Sequence, residues 1–506
     1  MMDSFPSLSL SPPSLLHRKR KRTSGESGTE RDRISKLPDH LLACILERTD
    51  VRTAVATSLL SRRWRCVWKS LVDFKFVKEP ILGRRAGPPS SAESRRDPAI
   101  RRHRVFAKCV SGFLGLKDGP PTIRKLSLEF SAKKKDLAMV DGWIRSALEK
   151  GVHELKLKLA PNLTEEYIFP PLSLNGGEYS LTKLKLSGCS LHNHAGFSMF
   201  GSLSSLSLED MDISKDDMQG VLQNCRRLKS LCLADCSFSS ADLSIASPDL
   251  QLKELAIVDC EQIRIIELSA PRLERLQYMG QYTPMLFTSV PHLDHVWLKY
   301  ANPAGTNYIL RKLSTDLPRS RNLNLFFQSY EDVKVPCLPA CFGNLKNLTV
   351  NVDINSKTDL LWMAILLEAA PFLETLQTSK TAESLCIRRL LNCGDGTNVM
   401  KVKTSDSYCS CSTIPWKPSD FVHHHLVEVK MYNFEGYCGE MAFARLLLAK
   451  AVDLRSMTFN RDDLFAMPWW KMLYYKSSKQ WTEQQTSVLL KQLTEGISTS
   501  ASLVFR

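Results

Sequence analysis

One phrase, Leu-x-x-Leu-x-Leu, returns through most of this 506-residue chain and limits what it can fold into. It opens at Ile123-Arg-Lys-Leu126-Ser-Leu128 and Val152-His-Glu-Leu155-Lys-Leu157. Six more copies follow at Leu181–Leu186, Leu203–Leu208, Leu228–Leu233, Leu252–Ile257, Leu273–Tyr278 and Leu293–Leu298. Later copies stand at Leu345–Val350, Leu373–Thr378, Leu426–Met431 and Leu454–Phe459, with a degenerate one at Leu323-Asn-Leu325. The central residues of the first eight, at 126, 155, 184, 206, 231, 255, 276 and 296, are separated by 29, 29, 22, 25, 24, 21 and 20 residues.

A period of about 20 to 29 residues is that of the leucine-rich repeat. Each Leu-x-Leu supplies a short strand whose alternate side chains point inward. One unit cannot bury its apolar side alone, so neighbours stack into a curved solenoid. The spacing therefore predicts an α/β chain with parallel strands on a concave face. Helices belong on the convex face, for example around Asp217–Asn224 and Leu360–Ala370. The intervening positions, Lys156, Lys185, Ser207, Cys232, Ala256, Gln277, Trp297, Thr349 and Lys430, point outward on this reading. Trp297 and Tyr300 are its candidate anchors for a bound partner, since aromatic side chains dominate binding energy. Trp469 and Trp470 are expected to cap the far end. The step from Leu376 to Val429 is 53 residues and holds a polar stretch, Cys393–Asp420, that reads as an insertion or a missed repeat.

Ahead of the repeats, Ile34–Trp68 packs short amphipathic helices into a segment near the minimum that folds alone. Pro38 suits a first helical turn and Asp39 the positive end of its dipole. Leu41, Leu42, Ile45 and Leu46 recur on one face. Asp50 or Thr53 can cap a second helix carrying Val55, Leu59 and Leu60. Ser61 can cap a third, with Trp64 and Trp68 four residues apart. Such a module needs a partner to cover its apolar side.

Charge narrows the function further. The net charge is +15, yet residues 1–105 carry 23 Lys/Arg against 11 Asp/Glu, leaving the repeats close to neutral. A chain that followed nucleic acid along its repeats would need basic charge there, so nucleic acid is not the expected partner. The runs His17–Arg22 and Gly83–Arg104 read as solvated tail and linker rather than import signal or binding site. No run of 18 apolar residues suggests a membrane span. The N-terminal segment, broken by Pro6, Pro12 and Pro13 and followed by its charges, has the reverse order of a secretory signal. Fifteen cysteines are then expected as reduced thiols in cytoplasm and/or nucleus. Cys189, Cys236 and Cys260 each close a Leu-x-Leu-x-x-Cys phrase or its Ile variant, the use of a small buried residue. Cys409, Cys411 and His423–His425 match no common zinc spacing. The chain holds no phosphate loop, Gly-x-Ser-x-Gly or His-Glu-x-x-His. An enzyme is not expected, nor a cofactor.

Residues 33–68 resemble the F-box, through Arg33-Ile34-Ser35, Leu37-Pro38-Asp39, Leu41-Leu42, Ile45-Leu46, Ala54-Val55, Thr57-Ser58, Leu60–Trp64 and Trp68. With the repeats, and with an ending in which Leu426, Glu428, Val429, Phe434, Leu446–Leu448, Ala451 and Met457 match an FBD region, the chain is similar to plant F-box/leucine-rich-repeat proteins. The resemblance implies a substrate-recognition subunit of an SCF-type ubiquitin ligase. The F-box would dock on a Skp-type adaptor, and through it cullin, while the repeats hold a protein substrate. It further implies that Leu37, Pro38, Leu41, Leu42, Ile45, Val55, Leu60, Trp64 and Trp68 supply core and adaptor interface. One departure is Arg48-Thr49-Asp50, where the family often places an apolar residue before Leu-Pro. A non-degradative binding scaffold is the alternative. The expected organisation is a tail over 1–30, the F-box over 31–76, a linker over 77–105, repeats over 106–420 and an FBD-like end over 421–506.

Overall fold

The computed structural model describes residues 34–76, 98–115, 120–130, 136–159, 167–169, 179–191, 194–328, 341–353, 360–381, 421–466, 472–475 and 480–506, apart from positions 35, 50, 248 and 462. The N-terminal tail, most of the expected linker, the Cys393–Asp420 stretch and Trp469-Trp470 lie outside them.

Three helices, α1 (Asp39–Leu46), α2 (Val51–Ala56) and α3 (Arg62–Lys69), open the described chain. Pro38 sits at the N-cap of α1, one position ahead of the first turn. The Ser61 hydroxyl accepts the Trp64 amide at 3.3 Å and so starts α3. The main sheet follows. Among the described residues it has fifteen strands in chain order, every neighbouring pair parallel, from Asp73–Phe76 to Ser502–Phe505. The repeat phrases are in register: Leu126, Leu155, Leu184, Leu206, Leu231, Leu255, Leu276 and Val296 stand side by side and are all buried. Full burial of each such side chain stabilises the fold by about 1.5–3 kcal/mol.

Two boundaries differ from the sequence reading. A helix, Pro98–Leu114, begins within the expected linker 77–105 and runs past its end. The module also does not stop short of the repeats. Its last residues, Asp73–Phe76, are the first strand of the solenoid sheet and pair with Lys125–Leu128. Phe74 and Phe76 both meet the Phe113 ring, at 4.6 and 5.2 Å. The helices and the solenoid therefore share one continuous core, which explains how so small a module is stable.

The convex side also departs from helices throughout. Helices cover it at Leu137–Glu149, Lys215–Asn224, Pro303–Arg311, Ala364–Glu368 and Cys438–Lys450. Between residues 231 and 296 the repeats are only 20 to 24 residues long. There a second parallel sheet, Asp242–Ala246, Ile265–Ser269 and Met285–Ser289, takes the place of helices.

A left-handed residue follows most of the early strands: Gly188, Asp210, Asp235 and Asp259, each with φ between 47° and 67°, and again Asn433 at 51°. Asp and Asn tolerate this region better than other side-chain-bearing residues. The next residue turns back under the sheet. The Cys189, Cys236 and Cys260 thiols donate to the carbonyls of Ser187, Ala234 and Val258, two residues back, at 3.6, 3.3 and 3.5 Å. Cys189 and Cys236 are buried and Cys260 is half-buried, as a repeat-closing residue requires.

Tyr300 is not on the concave face. It is two residues beyond inward-facing Leu298, so strand alternation sends it inward. It is 2% exposed and packs against Tyr278, Tyr282 and Tyr308, with centroids 5.4, 5.5 and 6.1 Å away. Burial pushes its phenol above the ordinary range. Gly305, in the first turn of the following helix, lies directly over this ring. A β-carbon there would sit inside contact distance of Tyr300 Cβ and Cγ. Gly305→Ala is expected to cost about 1–3 kcal/mol by overpacking, read as a lower urea midpoint. Adding Tyr300→Ala should not rescue the variant, because alanine keeps the Cβ that the new methyl group meets first.

Candidate functional site

The helical module divides its apolar residues sharply. Leu42, Leu46, Val51, Ala54, Trp64, Val67 and Trp68 are buried and form its core. Leu41 and Ile45 are each 42% exposed, Leu60 is 68% and Leu59 is 74%. Ile34 is also exposed, as is Pro38, while Leu37 and Val55 are half-buried. Of the nine residues expected to serve core and interface, Leu42, Trp64 and Trp68 thus lie inside. Pro38, Leu41, Ile45 and Leu60 lie outside. Leu59 and Ile34 join the exposed set, and helical periodicity alone had placed Leu59 only as a face residue of α2.

The start of α1 is fastened from α3. Arg63 Nε donates to Asp39 Oδ1 at 2.7 Å, and a second guanidinium nitrogen donates to the Leu37 carbonyl. Of the polar Arg48-Thr49-Asp50 segment, Asp50 lies outside the described residues, and Thr49 closes α1: its amide and hydroxyl both reach the Leu46 carbonyl, at 2.9 and 2.8 Å. Main-chain groups left open at the helix end are satisfied there without an apolar residue. At the other side of the module, Arg124 grips Asp73 through two nitrogens at 2.9 and 2.8 Å. The exposed patch is thereby held in a fixed relation to the solenoid.

The concave face is chemically graded. Lys156 and Lys185 lie at its first strands, and Lys185 pairs with Glu209 at 2.5 Å. Partial burial, with Lys185 close by, lowers the Lys156 amine below the usual lysine range. In the centre the expected outward residues are mostly covered: Cys232 is 9% exposed, Ala256 0% and Gln277 1%. Trp297 stays partly exposed between Gln277 and Asn324. Among the described residues its buried indole N–H has no acceptor. Phe326 carries the Lys299 ammonium 4.6 Å above its ring. Beyond it, Thr349, Gln377 and Lys430 continue the row.

His423, which the sequence suggested only as part of a histidine run, is a structural fastener. It is 3% exposed. Its Nε2 donates to the Ala370 carbonyl at 3.0 Å, and its Nδ1 accepts the Leu426 and His425 amides at 3.1 and 3.3 Å. Both ring nitrogens are therefore occupied by main chain. Its neighbour His425 packs on Phe372, 5.1 Å away, ahead of the strand Glu428–Tyr432. Cys409 and Cys411 lie outside the described residues. Among the described residues no group of histidine, cysteine and acidic side chains is arranged to hold a metal, and no helix is long and apolar enough to cross a membrane.

Comparison with known proteins agrees with this geometry. The F-box domain family matches residues 34–76, the three helices and the strand that joins them to the sheet. The family described as At1g61320/AtMIF1, LRR domain, matches residues 121–463, well over half of the chain. The chain belongs to the plant F-box/leucine-rich-repeat family. Among its relatives in Arabidopsis thaliana, F-box/FBD/LRR-repeat protein At1g13570 is 30% identical over 223 residues, 44% of this chain and 48% of that protein. F-box protein At3g59000 is 25% identical over 85% of this chain and 87% of its own length. Putative F-box protein At3g58860 is 23% identical over 90% and 95%. At family level, F-box/leucine-rich-repeat proteins are substrate-recognition adaptors of SCF-type ligases rather than enzymes. The FBD label carried by At1g13570 accords with the FBD-like residues noted between Leu426 and Met457.

Proposed function

We propose that this F-box/leucine-rich-repeat protein is the substrate-recognition subunit of an SCF-type ubiquitin ligase. Its F-box docks on a Skp-type adaptor and thereby on cullin, and its repeats recruit a protein substrate. The observation that carries this reading is the exposed set Leu41, Ile45, Leu59 and Leu60 on a module whose core of Leu42, Leu46, Val51, Ala54, Trp64, Val67 and Trp68 is fully packed. Covering a large aliphatic side chain is worth about 1.5–3 kcal/mol, so the set suffices to anchor a partner. The shared core between module and sheet fixes the distance from adaptor to recruited protein. Proximity then raises the effective concentration of substrate at the transfer site held by other subunits. Trp297 and the row around it supply the candidate substrate face; Tyr300 does not.

Leu41→Asp with Leu60→Asp is expected to weaken adaptor binding about 30-fold or more, the effect of losing interface hot spots. Both side chains are outside the core, so the melting temperature should hardly move. Binding measured by calorimetry with purified Skp-type adaptor decides the matter. Unchanged affinity in the double variant would remove the proposed docking surface.

A further inference from the structure

The strands begin on a rim whose order is set by main-chain hydrogen bonds. The residue just ahead of each strand donates its amide to its counterpart one repeat earlier. Thr182 bonds His153, Ser204 bonds Thr182, Lys229 bonds Ser204, Lys253 bonds Lys229 and Glu274 bonds Lys253, all at 2.8 to 2.9 Å. Along most of this rim, charges alternate and pair. Lys125 and Lys183 both reach Glu154, at 3.1 and 2.7 Å. Lys253 meets Glu274 at 2.5 Å, Arg275 meets Glu254 at 3.0 Å, and Lys346 meets Glu374 at 2.6 Å.

The pairing lapses where rim residues are uncharged, and one such stretch also gathers exposed cations. Ser204, Ser205 and Ser230 stand where charged residues stand elsewhere, and Lys229 is stacked beside Lys253 rather than beside a carboxylate. Arg226 and Arg227 emerge at the same point from the turn after the helix Lys215–Asn224. Arg226, Arg227 and Lys229 are all exposed. Among the described residues none of the three has an acidic partner, although paired charges are the rule on either side. Together with Thr182, Ser204 and Asp249 they line an open groove of about 740 Å³. That volume exceeds a single carboxylate many times over and suits a stretch of several side chains.

We infer that this groove is the docking site for an acidic polypeptide segment, one carrying two or more Asp or Glu side chains. The two guanidinium forks take carboxylates in bidentate fashion, and Lys229 supplies a third positive charge at the rim. The hydroxyls of Thr182 and Ser204 donate to the carbonyls of His153 and Thr182 at 3.0 Å each, so their oxygens line the wall without competing charge. Asp249 bounds the groove and turns away longer acidic runs. The inference rests on the reading of the repeats as a protein-recruiting domain and names the chemistry of what they recruit.

The test uses the full chain with Skp-type adaptor and a short, capped, fluorescein-labelled Asp/Glu peptide followed by anisotropy. Arg226→Glu with Arg227→Glu is expected to weaken peptide binding about tenfold or more, the loss of charge-assisted hydrogen bonds. Arg264→Glu with Arg319→Glu makes the same change in net charge at exposed positions elsewhere and should leave binding within about twofold at the same ionic strength. Equal weakening by the two pairs would mean that overall charge alone attracts the peptide, and the groove would be overturned. So would a wild-type chain that fails to bind the peptide while still binding adaptor. Loss of adaptor binding in the wild type would instead count against the ligase reading.

Discussion

Replacing Lys380 with Met is expected to destabilise the solenoid by about 3–5 kcal/mol, the cost of leaving one member of a buried ion pair unpaired. Lys380, in the strand Thr375–Thr381, meets Glu440 of the helix Cys438–Lys450; their side chains are 18% and 4% exposed. Glu440 also accepts the Tyr437 amide at 2.8 Å and the Glu435 amide at 3.2 Å, which fixes the start of that helix. The Lys380 ammonium lies 4.7 Å over the Tyr437 ring. One carboxylate thus joins two turns of main chain to a lysine in the preceding strand. Without the lysine, the carboxylate keeps its amides but has no counter-charge in a site closed to water. Glu440→Gln should cost less than Lys380→Met, since an amide oxygen still accepts from Tyr437. The double variant should be more stable than the sum of the single losses, because neither buried charge is then left alone. Urea denaturation of the three variants measures this. Strict additivity would mean that the two side chains do not act as a pair.

This pair was invisible in the sequence for a simple reason. The partners are 60 positions apart, and nothing in Thr-Ser-Lys380-Thr or Cys-Gly-Glu440-Met marks either as buried. By contrast, the strand ladder was plain, because period-two burial writes itself into Leu-x-Leu and any slip would turn every leucine outward. The same rule, extended two residues beyond Leu298, places Tyr300 inside. The convex side was half legible. The units that carry a strand there are all 24 residues or shorter, but length alone does not decide it, since the 22-residue unit from Leu184 to Leu206 carries the short helix His194–Phe200. The aspartates at 210, 235 and 259 look like ordinary surface acids until their positive φ shows that each makes a turn. In the F-box, spacing gave the helices and their apolar residues. The division between core Trp64 and Trp68 and exposed Leu59 and Leu60 needed three-dimensional packing. So did the continuity with the sheet, since Asp73–Phe76 reads as a tail to the module rather than as a strand of the next domain.

His423 carries a second large effect, and one that depends on pH. Because Nδ1 accepts two amides, the ring is held neutral with its proton on Nε2, directed at Ala370. Burial lowers its proton affinity below the ordinary histidine range, and His425 and His424 push the same way, against the Ala370 carbonyl. The unfolded chain therefore takes up this proton at a higher pH than the folded one. Stability from His423 is complete above its unfolded value of about 6.5. It is lost as pH falls from there through the lower folded value, since a protonated Nδ1 would face two N–H donors. Wild-type protein should accordingly melt at a lower temperature at pH 5.5 than at pH 7.5. His423→Asn places an oxygen close to the Nδ1 position, keeps an acceptor for the amides and has no proton to gain. Its melting temperature should fall less between the two values, although it starts lower for want of the bond to Ala370. His423→Ala leaves both amides without an acceptor and should cost about 2–6 kcal/mol at pH 7.5, from an unsatisfied-donor cost of about 1–3 kcal/mol each. The comparison separates His423 from the other histidines, which are present in both wild type and variant. If wild type and His423→Asn lose the same amount on acidification, the pH sensitivity lies elsewhere, and the fastening of Leu426 to Ala370 does not depend on the charge of this ring.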